Sequence, residues 1–316
     1  KNWLRQPLTD PKKINERQDR ITEFINDEGM LQNIQTHLKE TADIERTLAR
    51  IASGKASPRD IINLGTSLEK IPFVKDTIHK KNKVLKQLLL RCCDTDKITT
   101  SILTTMNADP PSTTKKGGYI REGFSTELDE LRQLSEDATK WMASMQLEEQ
   151  KNTRIPSLKV GYNKVFGYYL EVTKTHVGKV PEHYIRKQTL TNSERYFTEE
   201  LKTYEEKILS AEEKIIKVEL SILDSMQEEI ISSAESIQKN AKILARLDVA
   251  GALAQLAISK DYHRPMIDTS ACLEIQNGRH PVVEDLLTMG EDFIPNNLEL
   301  DHEEIQIAII TGPNMA

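Results

Sequence analysis

Leu158-Lys159-Val160-Gly161-Tyr162-Asn163-Lys164-Val165-Phe166-Gly167-Tyr168-Tyr169-Leu170-Glu171-Val172-Thr173 is a stretch of period two inside a chain whose apolar residues otherwise recur at helical spacing. Leu158, Val160 and Tyr162 alternate with other residues, and Asn163-Lys164 offers a turn. Phe166, Tyr168, Leu170 and Val172 then share one face, and Gly167, Tyr169, Glu171 and Thr173 the other. Successive strand side chains point to opposite faces, so this pattern predicts two half-buried strands joined as a hairpin. Gln188 to Thr191 predicts a further strand.

Long helices flank the hairpin. On its N-terminal side a helix is expected to start at Ser125 or Thr126, with Glu127, Asp129 and Glu130 favourable in its first turns. Leu128, Leu131, Leu134, Trp141, Met142 and Met145 read as one buried stripe. On the C-terminal side Thr198 reads as a cap followed by Glu199 and Glu200, and neither Gly nor Pro occurs from Glu182 to Ala250. One helix over 198–240 is predicted, about 65 Å long at 1.5 Å per residue. Two long antiparallel helices carrying a β tip follow from this arrangement.

Residues 11–105 predict several helices. Ile14, Ile21, Phe24 and Ile25 recur at helical spacing, as do Leu38, Ile44, Leu48 and Ile51. Ser57-Pro58 reads as a cap with proline at the first helical position, and a separate helix is expected over about 73–92. Asp109-Pro110-Pro111-Ser112 and Gly117-Gly118 mark a loop over 106–118. After Gly251 a further helix is expected to end near His263-Arg264-Pro265. From Ile267 the chain turns strand-like, at Leu273-Glu274-Ile275, at Gly278 to Glu284, and at the apolar run Ile305 to Ile310 before Gly312. The fold class is therefore mainly α with a small β insert. Residues 1–150 form a helical core and first long helix, and 151–197 a basic β unit. Residues 198–265 form the second long helix and return, and 266–316 the start of an α/β domain.

Composition agrees with long helices, being 38% hydrophobic and 29% charged with 13 Gly and 12 Pro. No apolar run reaches the ~18 residues of a membrane span. The start, Lys1-Asn2-Trp3-Leu4-Arg5, lacks a signal peptide's apolar stretch and reads as that of an excised piece. Cys92, Cys93 and Cys272 do not match zinc spacing and read as reduced thiols of a cytoplasmic protein. Each of the seven histidines stands alone, and no Ser/His/Asp arrangement supports a complete enzyme.

Charge is distributed unevenly. The net charge is −6, yet residues 151–197 hold nine cations and three anions, leaving the remainder at −12. Cations displace condensed counterions from a phosphate backbone, a sequence-independent and salt-sensitive interaction. Lys159, Lys164, Lys174, Arg186, Lys187 and Arg195 are the candidate DNA-binding residues. Tyr162, Tyr168, Tyr169 and Tyr184 lie among them and read as half-buried sheet aromatics. The alternative is a helical scaffold whose basic tip meets an acidic protein. Apolar spacing over 201–231 is too irregular for a two-position coiled-coil seam, and favours packing into a larger helical domain.

Gly312 ends the chain's last apolar run. If it opens a G-x-x-x-x-G-K-[ST] loop, the second glycine and the lysine fall at positions 317 and 318, beyond Ala316. That lysine reaches the nucleotide's phosphates and the hydroxyl holds Mg²⁺, so the chain by itself is expected not to hydrolyse ATP.

Blocks in order along nearly the whole chain resemble the middle of a MutS-family DNA mismatch-repair protein. They include Trp3-Leu4-Arg5-Gln6-Pro7-Leu8, Asp43-Ile44-Glu45-Arg46, Glu127-Leu128-Asp129-Glu130-Leu131-Arg132 and Lys159-Val160-Gly161-Tyr162-Asn163. Further along come Arg186-Lys187-Gln188-Thr189-Leu190, Asn192-Ser193-Glu194-Arg195-Tyr196, Gly278-Arg279-His280-Pro281 and Thr311-Gly312-Pro313-Asn314-Met315-Ala316. The resemblance implies a helical core, two lever helices and a clamp that closes on the backbone of double-stranded DNA. It also implies the start of an ABC-type ATPase domain from about residue 266. There Phe293 and Ile294 match the adenine-stacking position, and Gly312, Pro313, Asn314, Met315 and Ala316 match the phosphate loop. The intact parent is then expected to be a homodimeric, DNA-dependent ATPase using ATP and Mg²⁺ with a mismatch-repair partner protein. This piece is expected to hold no cofactor, mismatch reader or Walker B acid.

Overall fold

The computed structural model of the protein describes residues 2–79, 81–163, 165, 167–288 and 292–309. Seven helices lead the chain: α1 (Asn2–Arg5), α2 (Pro11–Ile25), α3 (Glu28–Lys39), α4 (Ile44–Ala52), α5 (Pro58–Thr77), α6 (Lys83–Leu89) and α7 (Asp96–Thr105). The long helix α8 (Thr126–Thr153) enters a sheet made of β1 (Lys159–Asn163), β2 (Gly167–Thr173), β3 (Ile185–Thr189) and β4 (Ser193–Phe197). The chain leaves it through α9 (Glu199–Ser232) and returns through α10 (Ala234–Lys260). A terminal segment holds β5 (Leu273–Gly278), α11 (Pro281–Leu286) and β6 (Asn296–Leu300).

Helix starts follow local chemistry. Asp10, Asp27, Asp43, Ser57, Ser125 and Thr198 each accept a backbone N–H of the first turn they cap. Ser57 and Asp60 form a reciprocal capping box. The start of α6 is held from a distance, since Val84 and Leu85 N–H both donate to the Glu23 carboxylate of α2 at 2.9 Å.

Two helix boundaries differ from expectation. Helix α5 runs through Pro72 to Thr77, so no helix begins at 73. Ile71, Val74 and Ile78 continue its buried face while Pro72 is exposed, and packing outweighs the one lost hydrogen bond. The predicted helix over 198–240 breaks at Ser233, whose φ and ψ are −95° and 4°. Ile230 and Ile237, on either side, are both fully buried. No Gly or Pro marks the place, and the Ser233 N–H is shared by the Glu229, Ile230 and Ile231 carbonyls as α9 ends. Helix α10 then passes through Gly251 without a break. A Cβ at Gly251 would lie 3.1 Å from Leu31 Cδ1, so glycine permits α10 to lie close on α3.

Helices α8 and α9 pack antiparallel, Arg132 meeting Glu219 near one end and Trp141 stacking on Tyr204 toward the other. They are shared by two separate cores. Leu128, Leu223, Met226 and Ile230 belong to the large core of the helical body. Ala138, Met142, Met145, Leu201 and Ile208 belong to a second core beneath the sheet. The stripe expected along α8 is thus split, with Leu134 between the cores 48% exposed.

The base of the pair is tied by a buried charge. Glu219 is fully buried and accepts from Arg132 Nη2 and from Gly118 N–H, both at 2.7 Å. Arg132 also donates to the Ile120 carbonyl at 2.8 Å and to Asp129 at 3.3 Å. Gly117 has φ +67°, and a Cβ there would sit 2.9 Å from Glu219 Oε2. The loop expected over 106–118 therefore wraps a buried carboxylate that only glycine can approach. No sequence signal marked Glu219.

The terminal segment departs from expectation in two places. Residues 281–286 form α11 rather than strand, because Pro281 stands at the first helical position and His280 accepts from Val283 N–H. The run 305–309 is not a strand, and Ile307 and Ile309 are more than 80% exposed. No ladder partner for it exists among the described residues, and a lone strand cannot satisfy its backbone.

Candidate nucleic-acid interface

The sheet is antiparallel throughout, in the order β1-β2-β4-β3. The expected hairpin is β1–β2, with Lys159 opposite Glu171 and Gly161 opposite Tyr169. The later strand lies at Ile185–Thr189 rather than 188–191, and β4 had no place in the sequence reading.

Leu170 and Val172 of β2 and Tyr196 of β4 are buried on the face toward α8 and α9. Tyr184, ahead of β3, donates to Glu149 of α8 at 2.5 Å, and burial together with that carboxylate pushes its phenol well up. The Tyr196 phenol is pushed up to about 12 by burial first and Glu194 second. Both rings therefore remain neutral anchors of the sheet. Gly167, at φ +73°, lies against Glu205 of α9, which accepts from Tyr168 N–H at 3.2 Å.

The opposite face carries charge, but much of it is neutralised locally. Arg195 donates from Nε to Glu171 at 3.0 Å and from Nη1 to Gln188 at 3.0 Å. Its guanidinium also lies 4.1 Å from the Tyr169 ring centroid. That ring rests on bare Gly161, where a Cβ would come within 2.7 Å of it. Contacts from Gly161 through Tyr169, Glu171 and Arg195 to Gln188 thus cross all four strands. Arg195, expected as a phosphate ligand, is engaged in holding this face together.

The other candidates divide by their surroundings. Arg186 is exposed and reaches Glu194 only at 3.7 Å. Lys187 sits at the β3 bulge with its ammonium 5.3 Å from the Phe197 ring. Lys159 and Lys174 are exposed and make no ion pair among the described residues. Lys164 lies outside the described residues.

Lys159 and Lys174 stand at one end of the sheet, and the sequence reading missed what joins them there. Lys174 N–H donates to the Asn192 carbonyl of the β3–β4 turn at 3.1 Å. The 3-10 turn Lys174–Lys179 brings exposed Lys179 to the same rim. Ser157, Thr173 and Thr175 hydroxyls ring His176 Nδ1 at 3.1 to 3.3 Å. The hydroxyls also bond one another, Ser157 with Thr173 at 3.0 Å and Thr173 with Thr175 at 3.1 Å, so the cluster is paired internally. Asn192 meets Lys174 through the pairing of β2 with β4, the strand without a clear sequence signal.

No nucleotide site is assembled among the described residues. Phe293 and Ile294 lie in the irregular stretch before β6, with Ile294 80% exposed. Gly312, Pro313, Asn314, Met315 and Ala316 lie outside the described residues. No group of His, Cys, Asp or Glu there could hold a metal ion, and no helix is long and apolar enough to cross a membrane, among the described residues.

Fold and rim together define a helical protein that carries a small, cation-edged antiparallel sheet on a helix pair. The MutS family domain IV model matches residues 123–214, from just before α8 through the sheet into α9. The DNA mismatch repair protein MutS of Salinibacter ruber is 43% identical over 99% of this chain and 35% of its own length. The proteins of the same name from Halothermothrix orenii and Methanosarcina mazei are 43% and 39% identical over all of this chain. This chain belongs to the MutS family. It spans 35% of the length of each of these three relatives.

Proposed function

We propose that the sheet is a clamp that holds double-stranded DNA by its phosphates, without reading sequence. The observation that carries this reading is the rim: Lys159, Lys174 and Lys179 make no ion pair among the described residues and lie toward one end of the sheet, with Arg186 and Lys187 on β3, the edge strand opposite β1. Tyr169 is already covered by Arg195 and offers no free ring to a base. That favours backbone contact over contact with bases. The relatives' name, DNA mismatch repair protein, makes duplex DNA the fitting polyanion.

Helices α8 and α9 act in this reading as levers between the clamp and the helical body, and the segment from residue 266 as part of an ATPase domain. In the longer protein, ATP and Mg²⁺ would bind at the loop that begins with Gly312, and two subunits would enclose one duplex. Differential contact at either end is what such coupling requires.

Titration of this chain with duplexes of unrelated sequence tests the clamp. Matched and mismatched duplexes are expected to bind equally. With about three phosphates neutralised, affinity is expected to fall about 40-fold between 50 and 200 mM salt. Affinity that ignores salt, or stronger binding to an acidic protein than to duplex under the same conditions, would overturn it.

A further inference from the structure

The C-terminal end of α8 carries a polar fringe beside the core beneath the sheet. Gln146, Glu149 and Gln150 have the spacing that places helical side chains on one face. Glu149 accepts from Tyr184. The two glutamines turn instead to β1, a strand at the edge of the sheet. Gln146 Oε1 accepts from Val160 N–H at 2.8 Å, and Gln150 Nε2 donates to the Leu158 carbonyl at 2.7 Å. The direction of both bonds is fixed, because a backbone N–H only donates and a carbonyl only accepts.

Leu158 and Val160 are two residues apart, so their backbone groups point to the same side of the chain, while β2 pairs along the other. The α8 amides supply a donor and an acceptor there, as a neighbouring strand would. An open strand edge otherwise invites pairing with another chain. The far edge, β3, is protected differently, by exposed Arg186, by Lys187 and by the bulge between Arg186 and Gln188. Between the two residues bonded to α8 lies Lys159, an exposed cation of the rim. Val160 and both glutamines are only half-buried. Water can therefore replace either amide, and the loss of one falls on position rather than on the fold.

We infer that Gln146 and Gln150 are positioning residues that latch the β1 edge to α8 and so fix where the Lys159 backbone stands relative to that helix. The core of Leu170, Val172 and Tyr196 holds the sheet on the helix pair, and the glutamines set its edge. The functional consequence rests on the clamp reading. A displacement of α8 then reaches one of the proposed phosphate-binding cations through two hydrogen bonds, without passing through the rest of the sheet.

Amide hydrogen exchange read by NMR, together with duplex titration at fixed salt, tests the latch. Gln146→Met is expected to speed exchange of the Val160 amide about tenfold, as for the loss of one hydrogen bond. Gln146→Glu keeps an acceptor and is expected to hold that amide at its wild-type rate. Gln150→Glu sets a carboxylate against the Leu158 carbonyl and is expected to free the edge. Gln146→Met with Gln150→Met is expected to leave the unfolding midpoint nearly unchanged and to weaken duplex binding about threefold, with no effect in a Lys159→Ala background. Equal weakening in both backgrounds, or an unchanged Val160 amide in Gln146→Met, would overturn the latch. Should the paired variant fail to fold by circular dichroism, Gln150→Met alone decides in its place. A wild type that does not bind duplex would overturn the clamp reading and leave the amide test standing. Faster exchange in Gln146→Met but not in Gln146→Glu would then support the latch, and equal rates in the two would overturn it.

Discussion

The two ends of the α8–α9 pair are held by different chemistry. At the body, a buried carboxylate is the tie: Glu219 draws in Arg132 from α8 and the Gly118 amide from the preceding loop. At the sheet, the tie is apolar and aromatic, with Leu170, Val172 and Tyr196 set on Met142, Met145, Leu201 and Ile208. Between them Leu131 and Leu134 face an open groove with Thr203, Lys207 and Ser210. The pair is therefore a strut between two cores rather than one continuous packed hairpin. Each end is expected to fail by its own mechanism and with limited effect on the other.

The largest effect is expected at the body. Glu219→Ala leaves Arg132 without its buried partner and strips an acceptor from Gly118, at a cost of about 3–5 kcal/mol. Urea unfolding would measure it, and a loss below about 1 kcal/mol would remove the carboxylate from its place in this comparison. Next comes the sheet core, where Leu170→Ala is expected to cost about 3 kcal/mol by opening a cavity. Hydrogen exchange should then rise in β1 to β4 while α5 and α7 keep their protection. Equal loss of protection in both regions would merge the two cores into one cooperative unit.

A smaller effect is expected on the outer face. Gly161→Ala drives a methyl into the Tyr169 ring and is expected to cost about 1–3 kcal/mol. Adding Tyr169→Ala should recover part of that cost, a coupling readable by a double-mutant cycle. The smallest effect is alkaline. Tyr196 is raised from 10 to about 12 in the fold. Its contribution is full below pH 10, where both states are protonated, and is lost as pH rises from 10 towards 12. Tyr196→Phe is expected to flatten stability across that window, whereas an unchanged slope would assign it elsewhere.

The sequence carried the architecture well and the ties poorly. Period-two alternation over 158–173 located the hairpin, and Ser125 and Thr198 located both long helices at their starts. Strand β4 was missed because Ser193 to Phe197 is short and contains Glu194 and Arg195, charges that read as surface. Their pairing is supplied by Tyr196, Arg186, Glu171 and Gln188, none of which local pattern predicts. No Gly or Pro announces the end of α9 at Ser233, and Glu219 looks like any exposed helical glutamate until the glycine loop closes over it. The candidate cations were legible as a group. Only the folded sheet separates Arg195, spent on Glu171, from Lys159 and Lys174, and adds Lys179 beside them.

The clamp reading rests on that separation, and one titration tests it most directly. Duplex DNA would be titrated at several salt concentrations into the wild type and into Lys159→Glu with Lys174→Glu and Lys179→Glu. The account predicts an unchanged unfolding midpoint and weaker binding, with a logarithmic salt slope shallower by about 2.7. Wild-type affinity and slope in the triple variant would contradict it.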